Sequence, residues 1–351
     1  VRWLIIHPGP EWSVADVYAG WSEALTALGE QVRECNLNRL LTFFDLAVFE
    51  TGEHDPAGYP QFRKAVTRDE AIGQAAKFVR AECFDWWPDV VLLVSAFYIP
   101  PLTLEIIRAR GIRIVVLFTE GPYQSETQLK IAPYADLSLL NDPVDIDRYA
   151  AIGPAAYIPH AHRPSLHCPG PADPVMASDL AFVGTAFPSR IKFLEAMDLD
   201  GWDVLLAGMW LGLPEDSPLR KYVAHELAEC VDNSQTVSIY RSARAGLNLY
   251  RTETEPDASA QGWACGPREI EMAACGLFFL RDPRGEGDVL FPMLPVFDGP
   301  EDASEQLRWW LEHDGYRGET AAKARQAVAG RTFEASAKEL LRLLDRQPVS
   351  M

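Results

Sequence analysis

The segment from Ala245 to Arg281, AGLNLYRTETEPDASAQGWACGPREIEMAACGLFFLR, constrains the fold more than any other part of the 351-residue chain. It reads as an interior strand, Gly246–Tyr250, ending in Arg251, followed by a polar loop of about fifteen residues, longer than compact α/β connections need. Gly266 and Pro267 then open a short helix, because proline is pre-organised for a first helical position. Ile270, Ala273 and Ala274 give that helix an apolar face, Gly276 suits the left-handed residue that ends it, and Leu277–Leu280 is the next strand. A helix start exposes unpaired N–H groups and a partial positive charge, which attract phosphate. Arg251 and Arg268 add to the attraction, and Glu271 stands where a carboxylate accepts hydrogen bonds from ribose hydroxyls. Each residue also has a plainer reading: Glu269 and Glu271 as acids that complement the helix dipole, Arg268 as a solvated charge, and Pro267 with Gly276 as helix punctuation.

The rest of the chain repeats the alternation of strand and helix that makes a parallel sheet flanked by helices. In the first half, strands are expected at Arg2–His7, Gln31–Cys35, Asp89–Ser95, Arg113–Thr119, Ala135–Leu140 and Ala155–Ile158. Helices are expected at Val14–Leu28, Asp69–Glu82 and Leu102–Arg110. From Pro159 to Val175 five prolines and three histidines break all periodicity and mark an interdomain linker. A second alternation follows: strand Leu180–Gly184, helix Pro188–Met197, strand Trp202–Ala207, and helices Leu219–Cys230 and Ser234–Ser242. Helices Glu301–Glu312, Tyr316–Ala329 and Thr332–Leu344 end it. The expected organisation is a Rossmann-like domain over 1–160, a linker over 161–178, a second Rossmann-like domain over 179–330, and a tail over 331–351. Ligands in such sheets gather at the C-terminal ends of strands, here His7-Pro8-Gly9-Pro10, Ser95-Ala96-Phe97 and Thr119-Glu120-Gly121-Pro122-Tyr123.

Composition narrows the function classes. A net charge of −18 disfavours general affinity for nucleic acid or anionic membrane, so an anionic ligand must meet a local basic pocket. The six cysteines show no C-x-x-C pair and no metal-ligand spacing with histidine, and read as reduced residues of a cytoplasmic protein. No run approaches the roughly 18 apolar residues of a membrane span, and Trp3–Ile6 is too short for a signal-peptide core.

GPREIEMAACG resembles the C-terminal signature of the GT-B glycosyltransferases, specifically the CgeB-like branch of the group 1 enzymes. SDLAFVGTAFPSRIKFL, ARAGLNLYR and PVFDGPEDASEQLRWWL, in matching order, extend the resemblance over about residues 155 to 345. It implies two Rossmann-like domains facing a central cleft, terminal helices crossing back to the first domain, and a nucleotide-diphosphate sugar held by the second. Glu271, five residues before Gly276 as in the E-A-M-A-x-G pattern, matches the glutamate that contacts the donor ribose. Arg190 and Lys192, after the FVGT strand that ends at Gly184, match basic residues facing the diphosphate. Asn248, Tyr250, Arg251, Gly266, Pro267, Arg268 and Glu269 complete the donor set. The pattern's other glutamate, eight residues ahead of Glu271, is replaced by Trp263, so recognition of the donor sugar falls to other groups.

The implied reaction is glycosyl transfer to an acceptor hydroxyl with retention of configuration and no metal or other cofactor. Asp145-Ile146-Asp147 fits the D-x-D formula but lies in a helix-like stretch and is not read as a metal site. On the acceptor side, Glu120 and His7 are candidates for proton transfer, against readings as a turn carboxylate and a loop-satisfying histidine. His160 and His162 in the linker could face the cleft, against a plainer reading as structural or exposed. Trp12, Trp21, Phe97, Tyr98 and Tyr123 are candidates for stacking on an acceptor, which is a protein, a glycan, a small metabolite or a modified nucleobase. The alternatives are a non-catalytic nucleotide-sugar or carbohydrate-binding coat protein and a nucleotide-sugar epimerase of the same fold.

Overall fold

The computed structural model describes residues 1–9, 14–45, 48–54, 56, 60–64, 66–227, 229–255 and 261–346. Pro10 and Trp12 lie outside the described residues. The first lobe runs β1 (Arg2–Ile6), α1 (Val14–Ala27), β2 (Gln31–Cys35), α2 (Leu37–Asp45), β3 (Val48–His54), β4 (Pro60–Lys64), α3 (Arg68–Trp86), β5 (Val90–Val94), α4 (Pro101–Arg108), β6 (Arg113–Phe118), α5 (Ser125–Leu129), β7 (Leu137–Leu140), α6 (Ile146–Ala150) and β8 (Ala155–Tyr157). Its main sheet is wholly parallel in the order β2-β1-β5-β6-β7-β8, and β3 and β4 form a separate antiparallel hairpin. β5, VVLLV, is buried at every residue, as a central strand covered on both faces must be. Alternate residues go to opposite layers: Leu4 and Ile6 join Ala75, Val79 and Leu104 of α3 and α4, while Trp3 and Ile5 join Trp21 and Leu25 of α1.

The second lobe runs β9 (Ser178–Val183), α7 (Pro188–Ala196), β10 (Val204–Ala207), α8 (Asn233–Ser242), β11 (Ala243–Asn248), α9 (Pro267–Cys275), β12 (Phe279–Arg281), α10 (Gly285–Leu290), α11 (Gly299–Glu312), α12 (Asp314–Ala327) and α13 (Phe333–Asp345). Its four-stranded sheet is parallel, in the order β10-β9-β11-β12. Helix α9 begins at Pro267 and ends at Gly276, whose φ of 84° is the left-handed cap its glycine permits.

Helix α13 returns to the first lobe. Phe333, Ala337, Leu340 and Leu344 are buried in the same core as Trp21 and Val115. Gly20 makes this docking possible, since a Cβ there would lie 2.3 Å from the Phe333 ring. The chain therefore crosses between lobes twice, and the crossings touch: His162 N–H donates to Arg331 O at 2.8 Å and Phe333 N–H to His162 O at 3.3 Å.

Two expectations need correction. The segment expected as helix Leu219–Cys230 holds only a 3₁₀ turn, Pro218–Tyr222, capped by Ser217, and continues irregularly through its other described residues. Pro218 at the start and two charged pairs, Arg220-Lys221 and Glu226 with Glu229, leave too little apolar periodicity to hold a longer helix. Strand β11 ends at Asn248 rather than Tyr250, because the Tyr250 N–H turns to the Asp282 carboxylate at 2.6 Å instead of joining the ladder. Helix α2, the β3–β4 hairpin and α10 were not anticipated.

Candidate functional site

Three strands of the second lobe end toward the first lobe, and an arginine follows each. After β9, Gly184 donates to Ala207 O at 2.9 Å, and Gly208 (φ 119°) packs so tightly that a Cβ would sit 2.2 Å from Gly184 O. Helix α7 then brings Arg190 back over the strand end, where Nε donates to Leu249 O at 2.9 Å and Nη1 to Thr185 O at 3.1 Å. Its guanidinium lies over the Phe182 and Phe187 rings at 5.6 and 5.3 Å, and burial lowers its pKa to about 10. After β11, Arg251 lies between the rings of Phe187 (5.0 Å) and Tyr123 (4.5 Å) and pairs with Glu120 at 2.7 Å. After β12, Arg284 covers the Tyr250 ring at 3.8 Å and donates to Gly262 O at 2.7 Å and to the Tyr123 hydroxyl. Tyr123, from the first lobe, sits among all three.

The backbone that follows β11 is a strap between the lobes. Arg251 reaches Glu120 of the first lobe. Two residues on, Glu253 returns to the second lobe and accepts from Ser189 N–H and Ser189 Oγ, both at 2.8 Å, at the start of α7. Two further, Glu255 accepts from Thr127 N–H at 3.2 Å and from Thr127 Oγ1, and its own N–H donates to Tyr123 O at 2.9 Å. Burial opposes the Glu253 charge, but the hydrogen bonds from Ser189 outweigh it and hold the carboxyl below its ordinary pKa.

The turn before α9 differs from its expected role as an open phosphate cradle. Asp142, at the end of β7, accepts from Trp263 N–H at 2.9 Å and Ala264 N–H at 3.0 Å. Glu286 accepts from Cys265 N–H at 2.8 Å, and Gly266 N–H goes to Glu269 Oε2 at 2.8 Å and the Tyr250 hydroxyl at 3.0 Å. Ala264 and Cys265 are buried, so this turn offers its amides to the protein's own acids and not to a ligand. For residues 263–265 the reason is long-range, since Asp142 follows β7 and Glu286 comes from α10, whereas Gly266 is closed locally by Glu269 three residues on. Glu269 is fully buried, and burial pushes its pKa up to about 7 against the hydrogen bonds from Tyr250 and Gly266. Burial likewise moves Asp282 up to about 6.

Arg268 and Glu271 pair with each other at 2.7 Å where α9 faces α1 and the linker. Glu271 is 3% exposed and lies with Asp16 and His167, whose ligand atoms fall within 4.8 Å of one another. This group does not suit a metal. His167 Nδ1 accepts the Arg163 N–H at 3.2 Å, so the neutral ring carries its proton on Nε2 and has no lone pair there to give. Arg163 also holds Asp16 at 2.6 Å and pairs with Glu23.

The remaining candidates are placed as follows. Lys192 is exposed, about 200° around α7 from Arg190. Asn248 is buried at the end of β11 and accepts the Asp282 N–H on its main-chain oxygen at 3.2 Å. Burial raises the pKa of Glu120, and Arg251 opposes that rise. His7 is buried edge-on to Tyr18 at 4.9 Å and accepts the Gly9 N–H at 3.3 Å, so it fastens the turn after β1. Ser95 and Ala96, ending β5, both take left-handed backbone (φ 65° and 61°), which costs non-glycine residues on the order of 1 kcal/mol each and is commonest at functional sites. Burial lowers the pKa of His160 and of His162 to about 4, as expected of linker histidines that pack as neutral groups. Trp21 is core, whereas Tyr123 belongs to the interlobe cluster. Asp145 of the D-x-D sequence is engaged by Ser125.

Sequence reasoning missed Arg284, Glu253, Asp142 and Glu286. Arg284 could have been found by asking of β12 what was asked of the other strands. Glu253 lay inside the polar loop already marked as too long, whose residues 256–260 are outside those described.

A family model described as "Glycosyl transferase-like" matches residues 190–347. Over 269 residues the chain is 21% identical to Spore protein CgeB of Bacillus subtilis, covering 74% of this chain and 84% of that one. Among solved structures it is similar to sucrose-phosphate synthase from Thermosynechococcus elongatus (TM-score 0.64, 16% identity, 98% of each chain). It is also similar to the trehalose-6-phosphate protein from E. coli bound with UDP-2-fluoro glucose (TM-score 0.63, 11% identity, 99% and 100% of the chains). These likenesses carry the GT-B fold. No helix among the described residues is long and apolar enough to cross a membrane.

Proposed function

We propose that this chain, a CgeB-like glycosyltransferase of GT-B architecture, holds the diphosphate of its nucleotide-sugar donor on Arg190, Arg251 and Arg284 and transfers the sugar with retention and without a metal. The observation that carries the reading is the convergence of these three guanidinium groups on Tyr123 from the ends of β9, β11 and β12. As the bond to the anomeric carbon breaks, negative charge grows on the departing diphosphate. Preorganised donors in a water-poor cleft stabilise it, each by roughly 3 to 4 kcal/mol in comparable oxyanion sites. A departing phosphate oxygen can take the proton of the acceptor hydroxyl, so the scheme needs no base from the first lobe. Glu120 and His7 then act through position: one as counter-ion to Arg251, the other as a fastener of the turn after β1. A ribose contact at Glu271 belongs to a state in which α1 draws back from α9, since Asp16 of α1 lies against that carboxylate here. Six free cysteines support a reducing, cytoplasmic setting for the activity.

The test is to incubate the protein with a panel of UDP-, GDP-, ADP- and TDP-sugars and follow release of nucleoside diphosphate with and without added acceptors. The reading expects release that is lost in Arg190→Ala and Arg251→Ala. Nucleotide-sugar binding without release would make the protein a binder, and recovery of an isomeric nucleotide sugar would make it an epimerase.

A further inference from the structure

Two of the groups at the proposed diphosphate seat, Arg251 and the Ser189 amide at the start of α7, are already engaged by carboxylates of the chain itself. Helix α7 has no capping side chain at its own N-cap, Phe187. Its Ser189 amide is taken by Glu253, which arrives from 64 residues away in sequence and sets both oxygens on Ser189. Arg190, in the same first turn, interacts electrostatically with Glu253. Arg251, two residues earlier on the same strap, is neutralised by Glu120. The strap is stitched at every second residue, to the first lobe at Arg251, to the second at Glu253, and to the first again at Glu255. A carboxylate at a helix start with arginines beside it is a smaller version of a phosphate in the same place.

We propose that Glu253 is an internal stand-in for the donor's diphosphate, so that the strap beyond Arg251, Thr252 to Glu255, occupies the donor seat in the unloaded enzyme and must leave for the donor to bind, while Arg251 turns from Glu120 to the diphosphate. This rests on the placement of the diphosphate given above. Seated, the strap excludes the donor and ties the two lobes together through Glu120 and Thr127. Displaced by a diphosphate, it frees Arg251 from Glu120 and Glu255 from Thr127, so donor entry and release of the first lobe are one event. The competing account is that Glu253 only caps α7. The two differ in what happens when the carboxylate is removed: a competitor's loss tightens anion binding, whereas a cap's loss only loosens the helix.

Inorganic pyrophosphate, which carries no base or sugar, isolates the seat, and its affinity for the full chain is measured by calorimetry. If the strap is seated in about nine molecules of ten, its removal tightens apparent binding about tenfold. Glu253→Gln is therefore expected to bind pyrophosphate about fivefold to tenfold more tightly than the parent protein. Ser189→Ala, which weakens the same contact from the other side, moves in the same direction by less and serves should the first variant not fold. Hydrogen exchange of residues 252–255 is expected to rise when pyrophosphate is added to the parent protein. Equal or weaker binding in Glu253→Gln, with binding by the parent lost in Arg190→Ala, overturns the stand-in and leaves the donor placement intact. Failure of pyrophosphate to bind any folded variant overturns both.

Discussion

The two lobes present the same kind of surface to each other with opposite charge. Each is a parallel sheet whose strand ends face the other lobe, yet β6 and β7 of the first lobe end in Glu120 and Asp142, while β9, β11 and β12 of the second lead to Arg190, Arg251 and Arg284. In a chain of net charge −18, this asymmetry gathers the strand-end arginines of the candidate site in one lobe. The fold alone would not have said which lobe, because strand ends are equally available in both. The acids of the first lobe do more than avoid phosphate, since they complement the second lobe's donors while the lobes are closed.

Four changes test this division of charge. The largest effect is expected from Arg190→Ala, which removes a donor from the second lobe: kcat falls about 10²- to 10³-fold, or roughly 3 to 4 kcal/mol, with partial recovery in Arg190→Lys. Unchanged turnover there would remove the second lobe's claim to the diphosphate. Next is Glu269, the buried acid beneath the site. Its pKa is about 7 in the folded protein against an ordinary 4.5, so between those pH values the folded state holds a proton that the unfolded chain has lost. Stability from this group is present below pH 4.5 and falls as pH rises through 7, by about 3 kcal/mol. Glu269→Gln keeps the group neutral, so its stability relative to the parent is expected to climb between pH 5 and pH 8 in denaturant titrations. A pH-independent difference would mean that Glu269 is ionised throughout.

A smaller change is expected from Glu120→Gln, which leaves Arg251 without its counter-ion. The cost is about 1 to 2 kcal/mol of stability by chemical denaturation. If stability held while turnover collapsed, Glu120 would be a catalytic group on the acceptor side, and the first lobe would be more than a complement to the second. Lys192→Ala should do least. An exposed lysine on the far side of α7 is expected to change kcat/KM by less than about twofold at moderate salt, and a tenfold loss would return it to the donor set.

Most of the fold was legible because buried parallel strands are short apolar runs separated by amphipathic helices. Gln31–Cys35 and α9 appear where their residues predict, and α13 lies within a residue of its expected span. The hairpin β3–β4 was not legible, because VFETGEH and PQFRK carry mostly polar residues and show no alternation to read. In the candidate site, Arg190 and Arg251 were visible because each follows a strand of the marked type. The closing of the Trp263 and Ala264 amides was not, because Asp142 lies more than 120 residues away and only the tertiary fold brings it there. Glu271 was read from a motif that specifies its place on α9 but says nothing of Asp16 across from it.

The paired crossings at His162 and Thr332–Phe333 have a mechanical consequence. A single connecting segment would let the lobes swivel in any direction, but two segments bonded side by side act like the two knuckles of one hinge. Rotation about the line through them remains soft, while twisting and sliding are resisted. Since α13 completes the first lobe's core beyond that line, the second lobe hangs from its neighbour at both ends of its own sequence. Opening should therefore follow one arc, and any ligand that wedges the strap aside should move every strand end of the second lobe together.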